Sequence, residues 1–186
     1  MKATFIFLFL LLLFSCQNSE EKQLEKVLTL SGNNRPELEK VLEHYKENEA
    51  DSLKLRAAKF LIMNMPGHQS YIGKDIEEYY VEAEKIIFSD RKIDEQVNDL
   101  NNLLLEFPSD DFEFKEDYSV IKADYLIQSI DAAFDDWQQG RWARGITFDE
   151  FCEYMLPYKC VEFQAFDDWR NVLKPIANDT LCDFSY

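Results

Sequence analysis

The chain has 186 residues, enough for one domain with a real core, and is 46% hydrophobic with only 5 Gly and 5 Pro. A net charge of −16 argues against nucleic acid binding, which needs clustered Lys and Arg, and an anionic membrane surface would repel such a body. Few turn-formers with many Leu, Glu and Lys predict an all-α fold: an irregular antiparallel bundle of about seven to eight helices after a cleaved signal peptide.

Lys2 is the only charge before an apolar run from Ala3 to Phe14, and Ser15-Cys16 follows. A charged start, a short apolar run and a small residue before the cut predict a secretory signal over 1–15. The run is shorter than the roughly 20 apolar residues that cross a bilayer. Leu13-Phe14-Ser15-Cys16 is similar to a bacterial lipobox, which makes Cys16 the expected site of lipidation; the alternative is an ordinary cleaved signal that leaves Cys16 free. Acyl chains on Cys16 would hold the chain to a membrane. Residues 16–22 then form an acidic tether. Gln17-Asn18-Ser19-Glu20-Glu21 resembles a surface-export signal of some Gram-negative lipoproteins, so the expected location is the outer membrane, with surface exposure as an option.

A single helical domain is expected over 23–177. Leu24, Val27 and Leu28 mark a first helix, about 21–30, ended by Gly32-Asn33-Asn34. Pro36 suits the first turn of the next, whose Leu38, Val41, Leu42 and Tyr45 fall on one face. Asp51 is placed to cap a third helix with Leu53, Ala57, Phe60 and Leu61, ending at Met65-Pro66-Gly67. His68 to Gly73 reads as a loop. Ile76, Tyr80, Ala83 and Ile87 give a fourth stripe, and Ile93, Val97, Leu100 and Leu104 a fifth, closed by Pro108. Ser109 to Asp117 reads as an acidic loop. The longest helix, about 119–138, carries Ala123, Leu126, Ile127, Ile130, Phe134 and Trp137. Gln139 to Ile146 is a connection, Phe166 to Ile176 a last helix, and 178–186 an irregular tail.

The stretch Thr147 to Arg170 is expected to be the main packing centre. Thr147 and Glu150 form a T-x-x-E capping box just as the apolar run Phe148, Phe151, Cys152, Met155 begins. Pro157 lacks the N–H that would continue the helix. Lys159 and Arg170 bring positive charge into an acidic chain.

The FCEYMLPY of this stretch, with RAAKFLIMNMPGH at 56–68, resembles the N-terminal region of transglutaminase-like bacterial lipoproteins, over about Asn33 to Arg170. There the FCEY-x-LPY element closes a helical region that precedes a papain-like Cys–His–Asp core. No stretch of this chain matches that family's catalytic motifs. The resemblance therefore implies a family and a fold and not an activity for this chain, with a downstream or separate catalytic domain as the expected partner.

The residues offer little independent chemistry. A thiol nucleophile needs a base in reach and an orienting third group. The bases are His44, on a helix, and His68, after Pro-Gly in a loop. Cys152 falls on an apolar face and reads as packing. Cys160 and Cys182 leave a disulfide open. Two distant histidines and no C-x-x-C give no metal site, and no Gly-rich loop, HExxH or GxSxG suggests a cofactor or a catalytic elbow. The candidate binding or docking surface is Tyr71, His68, Arg141, Trp142, Arg144, Trp169 and Arg170. Trp142 sits between arginines in a Gly-flanked connection, and the arginines can meet Asp135, Asp136, Asp167 and Asp168. Three functions follow in order: a lipid-anchored non-catalytic module that docks or supports a partner domain, a free-standing surface glycan- or peptide-binding lipoprotein, and a cysteine hydrolase.

Overall fold

The computed structural model describes residues 19–108, 112–140, 143–161 and 164–174. Among them the fold is all-α, with eight α-helices and one short two-stranded ribbon. Cys16, the signal 1–15, Arg141, Trp142, Cys182 and the tail 178–186 lie outside the described residues. The chain divides into two compact units: Met1–Pro66 with Tyr118–Tyr158 and Phe166–Tyr186, and Gly67–Asp117 with Lys159–Ala165.

The first unit holds α1 (19–30), α2 (Arg35–Lys46), α3 (Ser52–Asn64), α6 (Ala123–Gln139), α7 (Phe148–Tyr154) and α8 (Trp169–Leu173). Pro36 sits in the first turn of α2 as expected. Leu38, Val41 and Tyr45 of α2 bury against Ala57, Leu61 and Ile62 of α3 and Leu126, Ile130 and Phe134 of α6. The alanines let α3 approach closely, while the large residues of α2 and α6 fill the space. Leu53, expected in the α3 stripe, is 40% exposed. Asp51 makes no capping bond. Asn48, three residues earlier, accepts from Ala50 N instead and starts a short 3₁₀ turn that leads into α3.

Polar side chains pin this unit across long sequence separations. Buried Asn34 donates through Nδ2 to the carbonyls of Ile121 at 2.8 Å and Tyr118 at 3.1 Å. Glu37 Oε2 accepts from Ala123 N at 2.8 Å. A carboxylate of α2 thus does the work of an N-cap for α6, whose own flanking residue is Lys122.

The second unit holds β1 (Gln69–Ile72), α4 (Lys74–Ile87), α5 (Ile93–Glu106) and β2 (Glu113–Glu116). The strands pair antiparallel, with Gln69 opposite Glu116 and Ile72 opposite Glu113. Both strands fall where loops were expected. Each is only four residues, too short for alternation to show, and pairing across α4 and α5 leaves no local turn signal. Gly67 (φ 95°) and Gly73 (φ 104°) bracket β1 in a conformation that suits glycine. Gln96 Nε2 donates to Ile87 O at 3.2 Å, and Tyr79 meets the Phe107 ring at 6.0 Å, so α4 and α5 run antiparallel. Ile76, Ala83 and Leu103 are buried, and Tyr71, Tyr79, Phe107 and Phe112 form an edge-to-face aromatic cluster beside them.

Candidate functional site

The stretch expected to be the main packing centre supplies Phe151, Cys152, Met155, Leu156 and Tyr158 to the core of the first unit, but that core is built chiefly by α2, α3 and α6. Glu150 N donates to Thr147 Oγ1 at 3.3 Å, and Thr147 N donates back to Glu150 Oε2 at 2.8 Å. These bonds from Thr147 hold the exposed Glu150 carboxyl below its ordinary range. Trp137 stacks on Phe151 with centroids 4.5 Å apart, and its indole N–H donates to Ile146 O at 3.1 Å. Cys152 is buried and free. Burial, then the charge of Asp149, push its thiol up to about 11. It is therefore a neutral packing group at neutral pH, since the thiolate is the nucleophile.

Two residues of the expected docking surface close this centre. Arg170 Nη2 donates to the carbonyls of Met155 at 2.5 Å and Pro157 at 2.6 Å. Its guanidinium lies 4.4 Å over the Trp169 ring, and the Trp169 indole donates to Tyr158 O at 2.9 Å. The turn after α7 has carbonyls that no helix satisfies, and Arg170 supplies them with donors. Both residues thus brace the FCEYMLPY turn. Asp136, one of the acids considered for the arginines, pairs with Lys174 at 2.7 Å.

In the second unit the polar node is Asp117. Its side chain is fully buried, and Lys159 Nζ lies 2.6 Å from Oδ2. The Ser70 hydroxyl donates to Oδ1 at 2.6 Å. Lys159 also donates to Gln69 O at 2.7 Å, and Asp117 N to His68 O at 2.9 Å. Charge is rarely buried unless paired and hydrogen-bonded, and here both conditions are met. The node fastens the Lys159 segment to the ribbon.

The first unit also carries an open groove of about 510 Å³ along α2 and α6, lined by Lys40, His44, Asp124, Asp131, Asp135 and Asn171 among others. Lys40 Nζ pairs with Asp124 at 2.7 Å. That bond raises the Lys40 pKa and lowers that of Asp124. Asp131 is engaged by Lys54 at 2.8 Å and by the Tyr45 hydroxyl at 3.0 Å. Burial first, and Asp131 second, push the Tyr45 phenol well above its usual range, so it stays a donor. Asp124 and Asp131 are each paired with a lysine, and Asp135 is exposed beside them; an acidic lining of this kind suits a ligand bearing amines. Lys40 and His44 are four apart on α2, and Asp124, Asp131 and Asp135 fall at helical spacing on α6. The signal for them in the sequence is this shared polar face on each helix, away from the apolar faces that mark the core.

Of the remaining expected residues, His68 is exposed and Tyr71 half-buried with its ring 5.2 Å from Phe112, both in the second unit. Arg144 is exposed in the turn region after α6, in the first unit. Among the described residues of this set, Trp169 and Arg170 are brought together. Among the described residues no group of His, Cys, Asp and Glu is arranged to hold a metal ion, and no helix is long and apolar enough to cross a membrane. Compared with known protein families, curated proteins and solved structures, the chain matches none.

Proposed function

We propose that the chain is a lipid-anchored helical module without a catalytic centre of its own. It docks or supports a partner domain, as the region preceding the catalytic core does in transglutaminase-like bacterial lipoproteins. The observation that carries this reading is the state of the FCEYMLPY element. Its cysteine is buried with a thiol pushed up to about 11. Its Phe151 ring stacks on Trp137, and its turn carbonyls accept from Trp169 and Arg170. The motif is built to hold the helices together. Anchoring rests on Cys16 and places the module at the outer membrane, with its acidic body in solvent. The test is metabolic labelling of the full chain in a bacterium with an alkyne analogue of palmitate. Label that disappears in Cys16→Ala supports the anchor; a wild-type chain that takes up none sinks it.

The second reading, a free-standing surface binding protein, is favoured by the α2–α6 groove rather than by the tryptophans. Its carboxylates suit a lysine-bearing peptide better than a glycan, which would want an aromatic platform. Titration with an oligolysine peptide tests it. Weaker binding in Asp135→Asn, with the helical content unchanged, supports it; equal binding by both chains removes it.

A further inference from the structure

Gly67–Asp117 is inserted between α3 and α6 of the first unit, and Lys159–Ala165 joins it from further along the chain. The two ends of the insertion meet. Asp117 N donates to His68 O at 2.9 Å, and Gln69 lies opposite Glu116. A segment that leaves and returns at one place becomes, when open, a flexible loop on its host, and loop-closure entropy grows only slowly with length. The apolar cluster of the first unit is self-contained. Among the described residues every member, buried or partly buried, belongs to that unit. The second unit is thin by contrast. Its buried apolar residues among those described are Ile76, Ala83 and Leu103, while Val81, Ile87, Phe88 and Ile93 are each more than half exposed. Opening it returns little buried apolar surface to water.

We propose that the second unit is a clasped insertion: it opens as one cooperative body while the first unit stays folded, and Lys159 is the clasp that sets how often it opens. Lys159 reaches buried Asp117 at 2.6 Å, the Gln69 carbonyl at 2.7 Å and the Ser70 hydroxyl at 3.3 Å. One side chain from a distant stretch thus fastens both strands of the ribbon. A buried ion pair adds little net stability over an apolar pair of similar shape, so the clasp closes the unit without making it rigid. Its near end is fixed. Lys159 follows directly on Tyr158, a buried member of the first unit's cluster. The Tyr158 carbonyl accepts from the Tyr125 hydroxyl at 2.5 Å and from the Trp169 indole at 2.9 Å. The residue that carries the clasp therefore stays tied to the folded first unit when the insertion comes away. Elements of this kind sit at the low-stability end of a fold, from which its moving parts are drawn.

Native-state hydrogen exchange of the full chain in detergent, read element by element, tests this. The amides of β1, α4, α5 and β2 should share one opening. It should be at least about a hundredfold more frequent than the opening that exposes the slowest amides of α2, α3 and α6. Leu103→Ala should speed the amides of the second unit together, by at least about tenfold, and leave those of α6 unchanged. Ile130→Val, in the first unit's cluster, should do the reverse: the slowest α6 amides exchange faster and the second unit keeps its rates. Lys159→Ala should speed α4 and α5 by the same factor as the ribbon, because the clasp closes the whole unit. A Leu103→Ala chain whose second unit loses all protection while α6 keeps its own also supports the proposal. A single opening shared by both units in the unaltered chain overturns it. So does a Leu103→Ala chain in which α6 speeds equally or is itself unfolded, or an effect of Lys159→Ala confined to the ribbon.

Discussion

Lys159→Ala should loosen the second unit more than any surface change of similar size. Lys159 Nζ sits 2.6 Å from Asp117 Oδ2, with the two side chains 6% and 0% exposed. After substitution the Ser70 hydroxyl still reaches Oδ1 at 2.6 Å, but the paired cation is gone. Removing one partner of a buried ion pair costs about 3–5 kcal/mol, because the remaining charge is left in a poorly solvating site. The unit has little to absorb that: among its described residues the buried apolar ones are Ile76, Ala83 and Leu103, and bodies this small are marginal. Native-state hydrogen exchange at the amides of Gln69–Ile72 and Glu113–Glu116 reads the loss locally. Protection should fall by roughly two to four powers of ten, at about 1.4 kcal/mol for each tenfold step. Asp117→Leu with Lys159→Met should recover part of it, since no buried charge remains, although the Ser70 hydroxyl and the Gln69 carbonyl lose these partners. A change of less than about tenfold in Lys159→Ala, or a double variant worse than either single one, refutes the reasoning.

Thr147→Ala removes the capping bond to Glu150 N and should cost about 1 kcal/mol, read by urea denaturation; a shift within error would show the cap to be idle. Asn34→Ala strips donors from the Ile121 and Tyr118 carbonyls and should cost about 1–3 kcal/mol by the same assay. Cys152 binds its proton more tightly folded than unfolded, its pKa rising from 9.0 to about 11. Its contribution is present below the unfolded value and is lost as pH rises through the folded one. Stability should fall from about pH 9 to about 11, and Cys152→Ala should blunt the fall.

The parts of this fold legible in the sequence are those where one helix speaks for itself. Thr147 and Glu150 announce α7, Pro36 the start of α2, and the long apolar face of α6 its place in the core. Features needing two distant segments were not legible. Glu37 capping α6 and Asn34 binding the Ile121 carbonyl depend on how α2 lies along the chain's later half. Asp117 finds Lys159 only once the ribbon forms. The α5 stripe shows the opposite case: its period is plain in the sequence, but periodicity cannot say whether an apolar face meets its own core or remains outside it. Trp169 and Arg170 drew attention as an aromatic–cation pair, and the same chemistry serves to close a turn. Even so, the order of roles at Cys152 followed from its apolar face, because burial that packs a thiol also disfavours its ionised form.

Cys152 of FCEYMLPY lies in the core of the first unit with its thiol pushed up to about 11, which predicts that it is inert as a nucleophile in the folded chain. Alkylation of the native full chain with iodoacetamide near neutral pH, followed by peptide mapping, tests it most directly. Exposed Cys160 should be alkylated, and Cys152 should stay unmodified until the chain is unfolded. Rapid, stoichiometric labelling of Cys152 in the folded chain would contradict the account and return the protein to the cysteine hydrolases.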